Sequence, residues 1–383
     1  MTMMFEVEDL SQASPATVSR CGMVFLETKQ LGWFALIKTF VLKLNENLAK
    51  YGEYLQNKLK FLCNGTLAWI RKYGKFLVHR SEMTFVATML KLLNTFLKSY
   101  YGENAEKIPK EMEDVLGCLS LFSVVWSMGA ALEETSRKGF NEFMARLVVG
   151  DSEVCQQFRI DTDYPFEPST IHSKLPEKPN FFEYFYNKEK MMFVNWIQTV
   201  PAFLLPKNIS YNDLLIPTID NIRNNYFLHQ NIKNKMHILF SGPTGTGKSV
   251  QILNELYQNY YNPTYTFLST AFSGQTVANQ VQRLIESKVC TRRRKGVFGP
   301  EEGKSEIVIF IDDLNMPQKE KYGAQPPIEL LRQWMDTGGW YDLDTKEWKL
   351  LCDINFVTAM LPSVGGRNVV TMRYLRHYNL IYV

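Results

Sequence analysis

Eight residues in the second half of the chain, Gly242-Pro243-Thr244-Gly245-Thr246-Gly247-Lys248-Ser249, match the pattern G-x-x-x-x-G-K-[ST]. Glycines at this spacing let main-chain N–H groups turn inward around an anion. A helix starting at the lysine would add the positive end of its dipole. Lys248 is placed to reach the terminal phosphates of a nucleotide, and the Ser249 hydroxyl to join a magnesium shell. Such chemistry also needs an acid at the tip of a neighbouring strand. Ile307-Val-Ile-Phe-Ile-Asp312-Asp313 supplies it: Asp312 as a magnesium-side carboxylate, Asp313 where a base orienting the attacking water would sit.

These groups work only if strands and helices alternate around them, and the pattern predicts that they do. MHILFSG is a short apolar run feeding the loop, and KSVQILNELYQNY reads as the helix after it. TYTFLSTAFS, EIVIFIDDL, INFVTAM and NLIYV predict four more strands, with QTVANQVQRLIESKV and PIELLRQWMDT as helices between them. That alternation predicts an α/β fold, a parallel sheet flanked by helices on both faces. GGWYDLDTKEWKL reads as a hairpin insertion. Upstream, residues 31 to about 147 carry apolar residues at i, i+3, i+4 and i+7, the pattern of an all-α bundle. Residues 1 to about 30 read as strand, loop, strand (MMFEVEDL, then SQASPATVSR, then CGMVFLE). The stretch 151–180, with Pro165, Pro168, Pro176 and Pro179, reads as an extended connector.

Composition narrows the class. The chain has 383 residues, 45% of them hydrophobic and 13% aromatic, enough for two or three packed soluble domains. A net charge of +4 gives no reason to invoke nucleic acid or an anionic membrane. The basic run Arg292-Arg-Arg-Lys295 has no aromatic platform beside it and reads as a solvated loop. The six cysteines lie apart, without C-x-x-C spacing, and the five histidines do not cluster with them; neither zinc nor a disulfide framework is expected. The acidic N-terminus lacks the pattern of a secretory signal. The uncharged run Val115–Leu132 is long enough to span a membrane, but its serines and glycines favour a buried helix.

The loop GPTGTGKS, with IFIDDLNMP, KGVFGP and SPATVSRCGMV, resembles the motor ring of dynein heavy chains of axonemal type, which strings AAA+ modules along one chain. The resemblance covers essentially the whole chain. It implies that residues 1–30 end the large subdomain of one module, that 31–150 form its helical lid, and that 181–383 are the P-loop large subdomain of the next, lacking its own lid. By the same resemblance, Ile216-Pro217-Thr218 wraps adenine, and nucleotide contacts run from Gly242 through Val250. Arg20, Arg373 and Arg376 are candidate arginine fingers, because Thr17-Val-Ser-Arg20 and Thr371-Met-Arg373-Tyr-Leu-Arg376 stand in corresponding places. The implied cofactors are ATP or ADP with magnesium. The implied partners are other AAA+ modules of a ring, with intermediate and light chains and microtubules reached only through the complete motor. No nucleic acid or membrane partner is expected. The implied location is the cytoplasm and cytoskeleton, at the ciliary axoneme.

Some residues depart from the family pattern. Asp313 stands where AAA+ hydrolases usually place glutamate, and Leu361 stands where a polar side chain usually ends the fourth strand. No coiled-coil stalk pattern is present, so the chain alone is expected not to walk, and binding is expected to outlast turnover. Two other readings are a structural or interaction fragment with a vestigial pocket and an unrelated AAA+ remodelling ATPase.

Overall fold

The computed structural model describes residues 3–383 apart from 8–9, 27, 102–107, 161–179, 204–215, 260–263, 292–295 and 364–365. Helices α1 (Phe34–Leu42), α2 (Gly52–Tyr73), α3 (Glu82–Leu97), α4 (Met112–Ser127) and α5 (Glu134–Val149) form the bundle. α4 is its axis, packed against both α2 and α3. The apolar run expected to be a buried helix is one: 94% of its most apolar window is buried inside the fold. Ser120 Oγ donates to Leu116 O at 2.7 Å and Ser127 Oγ to Val124 O, while Ser123 Oγ is buried without a partner among the described residues.

After the bundle come β1 (Tyr184–Asn187) and β2 (Met192–Asn195), an antiparallel hairpin. It does not join the parallel sheet, although the resemblance assigned residues from 181 onward to the P-loop subdomain. Phe182 and Trp196, beside the hairpin, bury their rings against Trp126 of α4, so the bundle core captures it.

The remaining chain gives α6 (Ile219–Lys233), β3 (His237–Ser241), α7 (Lys248–Asn259), β4 (Tyr265–Ala271), α8 (Ala278–Glu286), β5 (Cys290–Thr291), β6 (Val297–Gly299), β7 (Glu306–Asp312), α9 (Pro326–Thr337), β8 (Gly339–Tyr341), β9 (Trp348–Leu351), β10 (Ile354–Met360) and β11 (Tyr378–Tyr382). Five strands make one all-parallel sheet in the order β11-β3-β10-β7-β4. Every residue of β10 and nearly all of β7 are buried, as a sheet covered on both faces requires. The hairpin expected in GGWYDLDTKEWKL forms from Gly339–Tyr341 and Trp348–Leu351, but as half of a second sheet, β5-β6-β9-β8, that recruits Cys290–Thr291 and Val297–Gly299. The run Arg292–Lys295 lies outside the described residues.

Bundle and sheet share one hydrophobic core. The buried guanidinium of Arg80 donates to Tyr378 O, and that of Arg137 to Tyr382 O, each at 2.7 Å. Both carbonyls belong to the edge strand β11, which the bundle therefore covers.

Two stretches differ from expectation. Among the described residues, neither MMFEVEDL nor CGMVFLE holds a strand; between them Pro15–Arg20 is a short helix capped by Ser14. A strand needs a neighbour to take its N–H and C=O groups, and no strand among the described residues pairs with either segment. Their side chains stay exposed, Phe5 at 74% and Phe25 at 79%. The stretch 151–180 opens with a helical turn, Ser152–Gln157, because Asp151 caps it by accepting from Glu153 N and Val154 N. Its proline-rich remainder lies outside the described residues.

Candidate functional site

β3 and α7 present the glycine-rich loop at the carboxyl end of the sheet, where ligands of open α/β folds bind. Gly245 (φ 88°) and Gly247 (φ 75°) are in the left-handed region, and nothing lies within 4 Å of where a Cβ would stand on either. Residues 243–247 of the loop are exposed, with open space around both glycines. Gly242 is required for a different reason: a Cβ there would meet Val383 O at 2.0 Å.

Lys248 is 7% exposed. Its ammonium donates to Gly242 O, to Pro243 O and to Thr246 Oγ1, so it caps its own loop. Burial lowers its proton affinity, and the negative charges of Asp312 and Asp313 offset that in part. Those two carboxylates are therefore within electrostatic reach of Lys248.

Asp312 ends β7 and Asp313 follows it with φ 50°. Asp313 N donates to Asp312 Oδ1 at 3.0 Å. Arg367, in the stretch after β10, donates through Nη2 to Asp313 Oδ1 at 3.3 Å. Two asparagines stitch that stretch to the one after β7. Asn315 Nδ2 donates to Leu361 O at 2.8 Å, while Asn368 donates through N to Asn315 O and through Nδ2 to Pro317 O. The Leu361 carbonyl thus anchors the stretch after β7.

Ser249 and Asp312 offer a hydroxyl and a carboxylate, an oxygen set that suits magnesium. Among the described residues no side chain or main-chain group is hydrogen-bonded to the Ser249 hydroxyl, and Asp312 Oδ2 has no partner.

Thr218 caps α6, accepting from Asn221 N at 3.2 Å, and Asn221 Nδ2 reaches back to Ile216 O. That fixes Ile216-Pro217-Thr218 at the head of α6, with Ile216 and Thr218 exposed. α6 is tied to α7 by a polar ladder missed in the sequence. Gln251 Nε2 donates to Asn221 O and Asn225 Oδ1, and Glu255 accepts from Asn225 and meets His229. The i, i+4 spacing of 221, 225 and 229 against 251 and 255 was the available signal. Val250, 56% exposed, points off that interface.

No hydrogen bond or ion pair among the described residues joins the finger candidates to the loop. Arg20 and Arg373 are exposed, while Arg376 donates to Asp336 of α9 at 2.5 Å. Arg367 was not singled out in the sequence, although an arginine after a Gly-Gly pair shortly past a strand tip can reach the tip of a neighbouring strand, as its contact with Asp313 shows.

Residues 203–383 match a model described as the P-loop containing dynein motor region, and residues 55–198 match the dynein heavy chain AAA lid domain. The chain belongs to the dynein heavy-chain family. It is 39% identical over 390 residues to mouse dynein axonemal heavy chain 1, covering 100% of this chain and 9% of that one. Mouse dynein axonemal heavy chain 12 is 38% identical over 395 residues (99% and 12%), and mouse dynein axonemal heavy chain 3 is 38% identical over 404 residues (100% and 9%). The chain thus spans about a tenth of the length of these dyneins. An unrelated remodelling ATPase is set aside by the lid match and by these whole-chain identities.

Proposed function

We propose that this dynein region binds ATP or ADP with magnesium at Gly242–Val250 and serves as a nucleotide-holding module within a ring of AAA+ modules. The observation that carries it is the buried Lys248, held only by neutral oxygens of its own open loop and facing two carboxylates. A polyphosphate would replace those oxygens, and the N–H groups of the loop and of α7's first turn would line it. Magnesium would sit between Ser249 and Asp312 and neutralise phosphate charge. Ile216-Pro217-Thr218 would flank the base. Arg20 and Arg373, exposed in this chain, are free to act on neighbouring modules; Arg376 would first have to leave Asp336.

Turnover is proposed to be slow. Asp313 is one methylene shorter than the glutamate of AAA+ hydrolases, so its carboxylate stops short of the place from which a glutamate would orient water. The activity of the complete motor, its microtubule and accessory-chain partners and an axonemal location belong to the same proposal. The test is melting of the full chain with and without nucleotide and magnesium. At a hundredfold excess over Kd, a ligand bound only by the folded state adds about 2.7 kcal/mol. Absence of any shift removes the reading, and ATP turnover above roughly 1 s⁻¹ removes the slow-hydrolysis part.

A further inference from the structure

Arg367 spends one donor on Asp313, while its buried Nε has no acceptor. Asp312 and Asp313 put two carboxylates side by side at the tip of β7, and the Arg367 guanidinium lies against the second. Gly366, with φ 84°, turns the chain just before it, and the paired asparagines 315 and 368 hold the two loops in register. A planar guanidinium with idle donors suits phosphate oxygens, which accept in pairs and carry more charge than one carboxylate.

We propose that Arg367 sets the preference of this site for a nucleoside triphosphate over a diphosphate, by exchanging its bond to Asp313 for bonds to the terminal phosphate. With a diphosphate bound, the guanidinium stays on Asp313. With a triphosphate, it moves to the third phosphate and leaves Asp313 free, so the number of phosphates is converted into the state of a carboxylate. No covalent step is involved. The proposal rests on the nucleotide reading of the Gly242–Ser249 loop, and its test separates the two.

The measurement is the Kd of the full chain for magnesium ADP and for a β,γ-imido triphosphate analogue, in wild type, R367Q, R367K and D313N. R367Q is expected to lose about tenfold in triphosphate affinity, the size of one charge-assisted contact, with ADP affinity within about twofold. R367K keeps the charge without the fork and is expected between the two. D313N removes the competitor and is expected to shift preference toward the triphosphate. A wild-type affinity ratio in R367Q overturns the proposal while ADP binding leaves the pocket reading intact. Should R367Q fail to fold, the D313N ratio decides: an unchanged or lowered triphosphate preference overturns it. Wild-type protein that binds neither nucleotide overturns both readings.

Discussion

The two ends of the parallel sheet carry similar charges and treat them oppositely. At the amino end, Lys235 (φ 56°) and Asp353 (φ 57°) form an ion pair of 2.6 Å, and Glu306 beside them is buried with its carboxyl pushed up to about 7. Burial causes that rise, with Lys235 opposing it and Asp353 adding to it. Those charges are paired or neutralised within the protein. At the carboxyl end, Lys248 makes no ion pair among the described residues and rests on neutral oxygens of its own loop. A buried ammonium without an anion is an unfinished electrostatic arrangement. One end of the sheet pairs or neutralises its charges within the fold; the other, on the proposed reading, does so with a ligand.

Breaking the unfinished end should show first. Lys248→Ala is expected to abolish nucleotide-dependent stabilisation, a loss of at least about 100-fold in affinity, or roughly 2.7 kcal/mol. Its melting without nucleotide should stay near wild type, because Lys248 bonds only its own loop; parallel melts with and without nucleotide check both halves. Gly242→Ala should cost about 2 kcal/mol of stability even without ligand, since its Cβ would collide with Val383 O. Urea unfolding reads that loss.

The finished end should respond to pH instead. The Glu306 carboxyl titrates higher in the fold than its ordinary 4.5. Its contribution is therefore fully present below pH 4.5 and is lost as pH rises through about 7. Glu306→Gln, neutral throughout, should raise stability at pH 8 by about 2 kcal/mol and leave it nearly unchanged at pH 4.5. Chemical denaturation at both values checks the difference. The smallest effect is expected from Lys235→Ala: the pair is solvent-facing, with the lysine side chain 60% exposed, and should be worth about 0.5 kcal/mol. A larger loss there would blur the contrast between the two ends.

Much of this was readable from sequence, for identifiable reasons. All five parallel strands were legible because continuous apolar runs such as Ile307–Ile311 can only be buried, and glycines punctuate the loop. The helix Met112–Ser127 was legible by the same test. What escaped was set by partners distant in sequence. MMFEVEDL and CGMVFLE have the composition of strands but, among the described residues, no edge to pair with, and pattern alone cannot supply one. The hairpin at 184–195 follows Trp126 and the bundle core, a contact no local window contains. The placing of the Gly242–Ser249 loop between β3 and α7, and of Asp312 at the tip of β7, was legible because the spacing is itself the signal. Arg367 was not, because its meaning comes from a 3.3 Å contact with Asp313 across 54 positions of chain.

The most direct test of the central claim is calorimetric titration of ADP into the full chain, with magnesium present and with the metal chelated. The account predicts one saturable site per chain, tighter with the metal, because Lys248 and the loop take the phosphates while Ser249 and Asp312 take the ion. A flat trace at about 1 mM ADP, the weakest affinity worth calling a site, or binding indifferent to magnesium, would contradict it.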